Sequence, residues 1–181
     1  FEVIEGVELT QPGRSLLVEE YFSYGCIHCK NFDPELEAWL TTLPEDVEFA
    51  RKPTAFSRTW SILAQAYYAL EKAEALEGNH EQLFKGIHNG GRMFNSGQDI
   101  ADYLDSQALP ASEFMRAFNS RDVARRLNRA TEDTRRAGIR AVPTLVVAGK
   151  YRVGMTHGAQ RALEVVEHLL EQERALLMKQ S

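Results

Sequence analysis

Short runs rich in aliphatic and aromatic side chains lie near both ends of the chain, and apolar side chains recur at helical spacing between them. Residues 15–24 (SLLVEEYFSY) and 47–52 (VEFARK) are rich in aliphatic and aromatic side chains and predict two strands. Residues 30–43 have apolar side chains three and four positions apart, which predicts a helix that Pro34 should kink or restart. Strand, helix and strand form a βαβ unit, which implies parallel strands. A further short strand is expected over residues 7–10, before a turn at residues 11–13.

The middle of the chain is helical throughout and has no convincing strand. Helices are expected over residues 57–76, 83–88, 100–106 and 122–136, with a short one starting near Pro110. Gly78 is a helix stop signal, and Ser96 followed by Asp99 is the pattern of a helix N-terminal cap. Residues 89–97 (NGGRMFNSG) predict a plain connecting loop.

Strand character returns after Gly138. Residues 142–147 and 151–153 flank the turn at 148–150 and predict a β-hairpin, and residues 159–178 predict a long final helix. The order is therefore a strand, a βαβ unit, a helical block, a hairpin and a helix. It predicts a mixed α/β sheet whose middle is interrupted by an inserted all-helical region.

Composition and charge narrow the class of protein. With 44% hydrophobic and 26% charged residues, the 181-residue chain resembles an ordinary globular domain and is long enough to bury an ample core. The net charge of −5 and the lack of a basic run argue against a nucleic-acid partner. No apolar stretch approaches the roughly 18–20 residues that span a bilayer. The chain starts at Phe1 rather than Met, as a processed or a truncated chain would, so secretion remains open.

The candidate chemistry lies where the main strand passes into the first helix. Cys26 and Cys29 are the two cysteines of the chain, and His28 lies between them. Cys26 is expected at the helix N-terminus, where unpaired backbone N–H groups and the helix dipole favour thiolate over thiol. A protonated His28 adds a positive charge. These effects lower the pKa of Cys26 and predict a redox-active dithiol.

Other interpretations of the two cysteines are weaker. A structural disulfide between residues three apart would remove little entropy from the unfolded chain. A zinc site needs about four ligands, and the remaining histidines have no paired spacing that would complete one. Two inert core cysteines would not account for a position between strand and helix.

Glu20, in the middle of the more apolar strand face, is either buried with a raised pKa or solvated near an edge, and the pattern leaves both open.

Four features together resemble the DsbA family of bacterial thiol–disulfide oxidoreductases, which are thioredoxin-fold proteins with an inserted helical domain. They are the run FSYGCIHC at residues 22–29, the Val142–Pro143 pair before a strand, the AGKY hairpin at residues 148–151 and the uninterrupted helical insertion. The resemblance covers essentially the whole chain. It implies an α/β thioredoxin-like domain of residues 1–56 and 138–181 and an inserted helical domain of residues 57–137.

The resemblance also implies roles for individual residues. Cys26 would be the exposed nucleophile, Cys29 the resolving thiol, and His28 the histidine that stabilises the Cys26 thiolate. Pro143 matches the proline that is cis in the thioredoxin fold and packs beside the disulfide. Val142 would offer its backbone to an extended substrate.

Two more positions complete the expected site. Glu20 resembles the strand acid that lies beneath the active site, which favours its buried interpretation and a role in proton relay. Ile27 stands where the family commonly has proline. Its N–H becomes available to bond the Cys26 sulfur, whereas the loss of proline loosens the first helical turn, and the sequence leaves open which effect dominates the redox potential. We expect Ile27 to bind substrate together with Val142 and Pro143.

The implied function is a protein thiol:disulfide oxidoreductase that donates its Cys26–Cys29 disulfide to reduced, folding secreted proteins. It would use no metal and no cofactor beyond that disulfide, and would work as a monomer in the periplasm. A DsbB-like, quinone-linked membrane oxidase would reoxidise it. Two alternatives stay open at this point: a disulfide reductase or isomerase that uses the same cysteines, and a thioredoxin-fold binding or holdase module.

Overall fold

The structure is a computed structural model that describes residues 1–4, 16–105 and 109–180, without the side chain of Gln180. The expected strand over residues 7–10 and the turn after it lie outside the described residues. The chain divides into two compact units, the first made of residues 1–22, 31–52 and 134–181 and the second of residues 23–30 and 53–133.

From β2 onwards, the described strands and helices follow one another in the predicted order, whereas β1 lies at two residues for which no strand was predicted. The strands are β1 (Glu2–Val3), β2 (Leu16–Phe22), β3 (Val47–Pro53), β4 (Thr144–Val147) and β5 (Tyr151–Gly154). The helices are α1 (Ile27–Leu40), α2 (Arg58–Lys72), α3 (Leu76–His88), α4 (Gly97–Asp105), α5 (Ala111–Phe118), α6 (Arg121–Arg136) and α7 (Ala159–Gln180).

The described strands form one sheet in the order β1-β5-β4-β2-β3. Strand β4 is antiparallel to both β2 and β5, with Tyr21 opposite Thr144. The predicted hairpin is confirmed: Ala148 and Gly149 have φ of +53° and +70°, the pair of positive angles that a tight turn between twisted strands requires. Strands β2 and β3 are neighbours, as the βαβ prediction requires.

The core of the first unit lies on the two faces of strand β2, because its side chains point alternately to either side of the sheet. Leu16 and Val18 are buried in a cluster with apolar side chains of α1 and α7, whereas Tyr21 is buried in a second cluster with Ile139 and Val146. The apolar face predicted for the last helix is confirmed, since Val166 and its neighbours on α7 belong to the first cluster.

Helix α1 differs from the prediction at both ends. It begins at Ile27 and ends at Leu40, three residues earlier at each end than the apolar spacing indicated. It begins earlier because the carbonyl of Cys26 already accepts a helical hydrogen bond from the N–H of Lys30, at 3.1 Å. The helix is not divided at Pro34, where a restart was one of the two expected outcomes.

The first helix of the second unit is shorter than predicted. Helix α2 ends at Lys72 instead of residue 76, because Glu74 takes the left-handed conformation with φ of +53°. The N–H of Ala75 then bonds the carbonyl of Leu70 at 2.9 Å, which closes the helix in the manner usually provided by glycine. Gly78, the predicted stop, lies inside α3 as a local break with φ of +76°.

The N-terminal cap predicted at Ser96 is confirmed. Ser96 Oγ accepts from the Asp99 N–H at 3.1 Å, and Asp99 Oδ2 accepts from the Ser96 N–H at 3.0 Å. This reciprocal pair fixes the start of α4. None of the described helices combines the length and the apolarity needed to cross a bilayer.

Candidate active site

A tight turn delivers Cys26 to the start of α1. The Cys26 N–H donates to the Ser23 carbonyl at 3.0 Å, and the Gly25 N–H donates to Ser23 Oγ at 3.1 Å. The Cys26 carbonyl accepts the first helical bond, from Lys30. Cys26 is therefore the N-cap residue of α1, the position at which the sequence predicted its sulfur.

The two cysteines are free thiols that face each other across one helical turn. The Cys29 N–H donates to Cys26 Sγ at 3.4 Å. Cys29 is fully buried, whereas 8% of the Cys26 surface is exposed. The expectation of an openly exposed Cys26 is therefore wrong, because the turn packs against its surroundings, but Cys26 is the more accessible of the two sulfurs.

The site lowers the pKa of Cys26 from its ordinary value of 9.0 to about 6. The largest cause is a hydrogen bond from the Cys29 side chain, and burial opposes it. The backbone N–H groups of Cys29 and His28 come next, and the charge of His28 contributes least. The predicted lowering is confirmed, with Cys29 rather than His28 as its main source.

The two residues between the cysteines point outwards. His28 is exposed, and so is 45% of Ile27, the first residue of α1. The Ile27 N–H was one available donor for the Cys26 sulfur, but the N–H groups that act on that sulfur are those of His28 and Cys29. Ile27 thus offers an apolar side chain to solvent beside the exchanging pair.

Two aromatic side chains of the second unit lie beside the turn. A Cβ atom on Gly25 would meet the Trp60 indole nitrogen at 2.5 Å, so Trp60 packs directly against this glycine. Phe56 stacks on Trp60 with ring centroids 5.7 Å apart and is 47% exposed. The sequence predicted only a helix over residues 57–76 here and missed this position of Trp60, although two aromatic residues four positions apart at the start of that helix were a usable signal.

Tyr24, the other central residue of the turn, is bonded at both its polar groups. Its hydroxyl lies 2.8 Å from His80 Nδ1, and its carbonyl lies 2.8 Å from His88 Nε2. The sequence brought these histidines into consideration only as zinc ligands. Among the described residues, no group of three or more His, Cys, Asp or Glu side chains is arranged to hold a metal ion.

Glu20 lies in the first unit and is buried, with 1% of its surface exposed. Arg51 Nε donates to Glu20 Oε2 at 2.9 Å, and Arg51 Nη2 donates to Asp33 at 3.1 Å and to Glu37 at 2.7 Å. Burial raises the pKa of Glu20 to about 7, and the Arg51 charge opposes this rise. The buried interpretation of Glu20 is confirmed. Sequence reasoning missed Arg51, although a charge in the middle of a strand was the available signal.

The Val142–Pro143 peptide bond is cis, as the family pattern predicts for this proline. Pro143 is buried immediately before β4, and Val142 packs beside the apolar cluster that contains Tyr21. The structure therefore brings Cys26, Ile27, His28 and Cys29 together in the second unit. It places Glu20 and the Val142–Pro143 pair in the first.

Comparison with known proteins gives consistent matches. A family model described as DSBA-like thioredoxin domain matches residues 17–170. The chain is 35% identical over 171 residues to the thiol:disulfide interchange protein DsbA of Azotobacter vinelandii, covering 93% of this chain and 79% of that protein. It is 32% identical over 180 residues to the protein of the same name from Pseudomonas aeruginosa PAO1, covering 98% and 85% of the two chains.

Solved structures agree with the sequence matches. The crystal structure of Pseudomonas aeruginosa DsbA superposes with a TM-score of 0.92 at 28% identity, covering 97% of this chain and 92% of that one. That of the oxidoreductase DsbA from Xylella fastidiosa gives a TM-score of 0.88 at 28% identity, covering 96% and 94%. The similarity in fold thus extends over nearly the whole of each chain.

Proposed function

The chain belongs to the DSBA-like thioredoxin family, and from this premise we propose how its residues share the work of thiol–disulfide exchange. It is a thiol:disulfide oxidoreductase that forms disulfide bonds, with a thioredoxin fold and a helical insertion. We assign Cys26 as the exchanging thiol and Cys29 as the resolving thiol. The observation that carries this assignment is the position of Cys26 at the N-cap of α1, where the Cys29 N–H reaches its sulfur at 3.4 Å and the site lowers its pKa to about 6.

The reaction begins with the oxidised enzyme and a reduced client. A client thiolate attacks Cys26 Sγ, the Cys26–Cys29 bond breaks, and Cys29 leaves as a thiolate. A second client thiolate then attacks the client sulfur of the mixed disulfide and displaces the Cys26 thiolate. The client loses two electrons and gains a disulfide, and the enzyme pair gains the same two electrons.

Stabilisation of the Cys26 thiolate drives this transfer. A thiol that ionises readily is a good leaving group in the second step, and its ionised form stabilises the reduced enzyme. At neutral pH a thiol with a pKa of about 6 is mostly ionised, whereas a thiol at 9.0 is not. The reduced state is therefore favoured, which makes the disulfide an oxidant.

Glu20 is the proposed proton carrier for Cys29, whose thiolate must be protonated once it leaves. A carboxyl group whose pKa is raised to about 7 is partly protonated near neutrality and can both give and take a proton. Its burial with Arg51 supports this role, because both partners are held in place by hydrogen bonds. The proton released by the client returns to solvent.

Client binding is assigned to Ile27, Val142 and Pro143. An extended client segment would pair with the Val142 backbone, and the exposed Ile27 side chain would contact apolar client residues. Phe56 and Trp60 extend the apolar area of the second unit beside Gly25. An apolar surface of this kind suits unfolded proteins, which expose the residues that they later bury.

The family membership supports the remaining assignments. We propose that the clients are reduced, unfolded proteins in the periplasm, that a DsbB-like, quinone-linked membrane oxidase restores the disulfide, and that the enzyme acts as a monomer. Residues 1–56 with 138–181 form the proposed thioredoxin-like domain, and residues 57–137 the proposed helical domain.

The test is the redox equilibrium of the purified protein with glutathione, combined with oxidation of a reduced, unfolded client. We expect the wild-type protein to be more readily reduced than glutathione disulfide and to oxidise the client stoichiometrically, and Cys26→Ser to do neither. If the glutathione equilibrium instead left the Cys26–Cys29 pair almost entirely as the disulfide, the protein would be a reductase. The holdase alternative would replace the exchange mechanism if the wild-type protein failed to oxidise the client and the double Cys26→Ser, Cys29→Ser variant still prevented client aggregation at the wild-type level.

A further inference from the structure

The turn that carries Cys26 is held by side chains from two helices of the second unit. Tyr24 and Gly25 are its central residues, between the Ser23 carbonyl and the Cys26 N–H. Trp60 of α2 packs against Gly25. His80 and His88 of α3 lie within hydrogen-bonding distance of Tyr24. The helices that follow β3 in the chain therefore supply the contacts that fix the residues before the nucleophile.

The contact between His88 and Tyr24 has a defined direction. A backbone carbonyl can only accept a hydrogen bond, so His88 Nε2 carries a hydrogen and donates it to the Tyr24 oxygen at 2.8 Å. This bond fixes a main-chain atom two residues before Cys26. It therefore acts on the path of the backbone itself.

The contact between His80 and Tyr24 is buried. Tyr24 is 1% exposed and His80 is 8% exposed, and the phenol oxygen lies 2.8 Å from His80 Nδ1. Phe84 packs edge-on against both rings, with centroids 5.0 Å from Tyr24 and 5.2 Å from His80. A buried hydrogen bond enclosed by aromatic rings holds its partners in one arrangement.

We propose that His80 and His88 are positioning residues for thiol–disulfide exchange, acting through Tyr24 to hold the turn in the geometry that stabilises the Cys26 thiolate. The inference rests on the proposed role of Cys26 as the exchanging thiol. According to this inference, two histidines outside the CxxC motif influence the redox equilibrium of that motif.

The geometry at Cys26 explains why position matters. The Cys29 N–H reaches Cys26 Sγ at 3.4 Å, and this hydrogen bond weakens when a displacement of the turn moves the sulfur off the N–H direction. The backbone N–H groups of Cys29 and His28 both contribute to the low pKa of Cys26. A turn released from His88 would sample positions in which these groups no longer point at the sulfur.

The experiment compares variants that remove each bond with variants that keep it. His88→Leu removes the N–H donor, whereas His88→Gln retains an amide N–H of similar reach. Tyr24→Phe removes the hydroxyl and keeps the ring. His168→Leu, at an exposed histidine of α7, is the matched control. The measurements are the Cys26 thiolate absorbance against pH, the glutathione equilibrium constant and the free energy of unfolding of the reduced protein in urea.

We expect His88→Leu and Tyr24→Phe to raise the pKa of Cys26 and to weaken the oxidant by about two- to tenfold, the range that one hydrogen bond supports. His88→Gln should restore most of the wild-type equilibrium, and His168→Leu should leave it unchanged. The proposal is overturned if His88→Leu and Tyr24→Phe lower stability but leave both the Cys26 titration and the glutathione constant at wild-type values.

Two further comparisons test the proposal when a variant does not fold and separate it from the proposed role of Cys26. If His88→Leu fails to fold, Tyr24→Phe decides alone, because it keeps a ring of the same size, and a wild-type titration in that variant overturns the proposal. Cys26→Ser separates this inference from the proposed function. If the thiolate signal persists in Cys26→Ser, the assignment of Cys26 itself is wrong; if it vanishes and the turn variants change nothing, only the roles of His80 and His88 are lost.

Discussion

Arg51 Nε donates to Glu20 Oε2 at 2.9 Å, yet burial still raises the pKa of this carboxyl group to about 7. The guanidinium is shared with Asp33 and Glu37, so its charge is divided among three carboxylates. A buried carboxylate with only part of a counter-charge is stabilised less than it would be in water. Glu20 is therefore partly protonated near neutral pH and can both release and accept a proton there.

The first prediction concerns the pH dependence of stability. Between about pH 4.5 and 7 the folded protein binds more protons at Glu20 than the unfolded chain does, so this group makes the free energy of unfolding fall as pH rises. Glu20→Gln should remove that slope and be the more stable protein at pH 8, by up to about 1.4 kcal/mol for each unit of pKa shift. Urea unfolding from pH 4.5 to 8 measures it.

Glu37→Gln is the control for this prediction, because Glu37 bonds the same Arg51 through a side chain that is 54% exposed. It removes the smallest of the charges that raise the pKa of Glu20, so it should make the slope of stability against pH only slightly shallower, whereas Glu20→Gln should abolish it. Equal slopes in wild-type and Glu20→Gln proteins would show that Glu20 does not carry the raised pKa.

The second prediction uses the lowered pKa of Cys26. Between about pH 6 and 9.0 the unfolded reduced chain binds more protons at Cys26 than the folded one, so the reduced protein should gain stability as pH rises through this window. The oxidised protein has no Cys26 thiol and should lack this gain. The free energy of unfolding of each form is measured at pH 5.5 and at pH 8.5. From the lower to the higher pH, the reduced form should gain stability relative to the oxidised form. An equal difference at both pH values would contradict the low pKa of Cys26.

The third prediction ranks the groups that stabilise the thiolate. Cys29→Ala removes the side-chain donor, which is the largest favourable contribution, and should raise the pKa of Cys26 most. Cys29→Ser retains a hydroxyl donor and should stay near wild type. His28→Ala should cause a smaller rise, because its charge contributes least. Thiolate absorbance gives the order, and a larger rise in His28→Ala than in Cys29→Ala would reverse this account.

The fourth prediction concerns Ile27→Pro. Ile27 is the first residue of α1, a position where the fixed φ of proline fits, and its side chain is 45% exposed. The substitution should stabilise the protein by about 0.4–1 kcal/mol through the unfolded state. It should move the pKa of Cys26 less than His28→Ala does, because the N–H groups acting on the sulfur belong to His28 and Cys29. Thermal unfolding and thiolate titration of the same sample test both parts.

The fifth prediction concerns the ion pair between Lys150 and Glu173, which joins the hairpin turn to α7. Lys150 is 9% exposed and Glu173 is 1% exposed, and the Tyr151 hydroxyl also donates to Glu173. Lys150→Met leaves a buried carboxylate without this partner and should cost about 3–5 kcal/mol in urea unfolding. The double variant Lys150→Met, Glu173→Leu should recover much of the loss. A double variant as unstable as the single one would argue against a charge effect.

Local patterns carried much of the fold prediction. The aliphatic and aromatic run in residues 15–24 placed β2, the N-cap pattern at Ser96 placed α4, and the AGK turn placed the hairpin. Helix ends were less predictable where backbone geometry departed from the usual residue preferences. Glu74 adopts a left-handed conformation that the sequence does not signal, so α2 ends earlier than its apolar spacing indicates.

The residues of the site also divide into those that local sequence patterns predict and those that they do not. The CxxC spacing and the strand–helix junction identified Cys26, because the stabilising groups are close to it in sequence. Arg51, Trp60, His80 and His88 act on residues 31, 35, 56 and 64 positions away. Contacts of that separation depend on the packing of elements, which the sequence pattern does not specify.

The close approach of Trp60 to Gly25 has a consequence for redesign of this enzyme. Any side chain at position 25 would collide with the indole, and Tyr24 and Cys29 are enclosed on all sides by their neighbours. Only the dipeptide Ile27–His28 opens to solvent within the motif. A library that keeps this packing intact should therefore randomise those two codons and leave the flanking ones untouched.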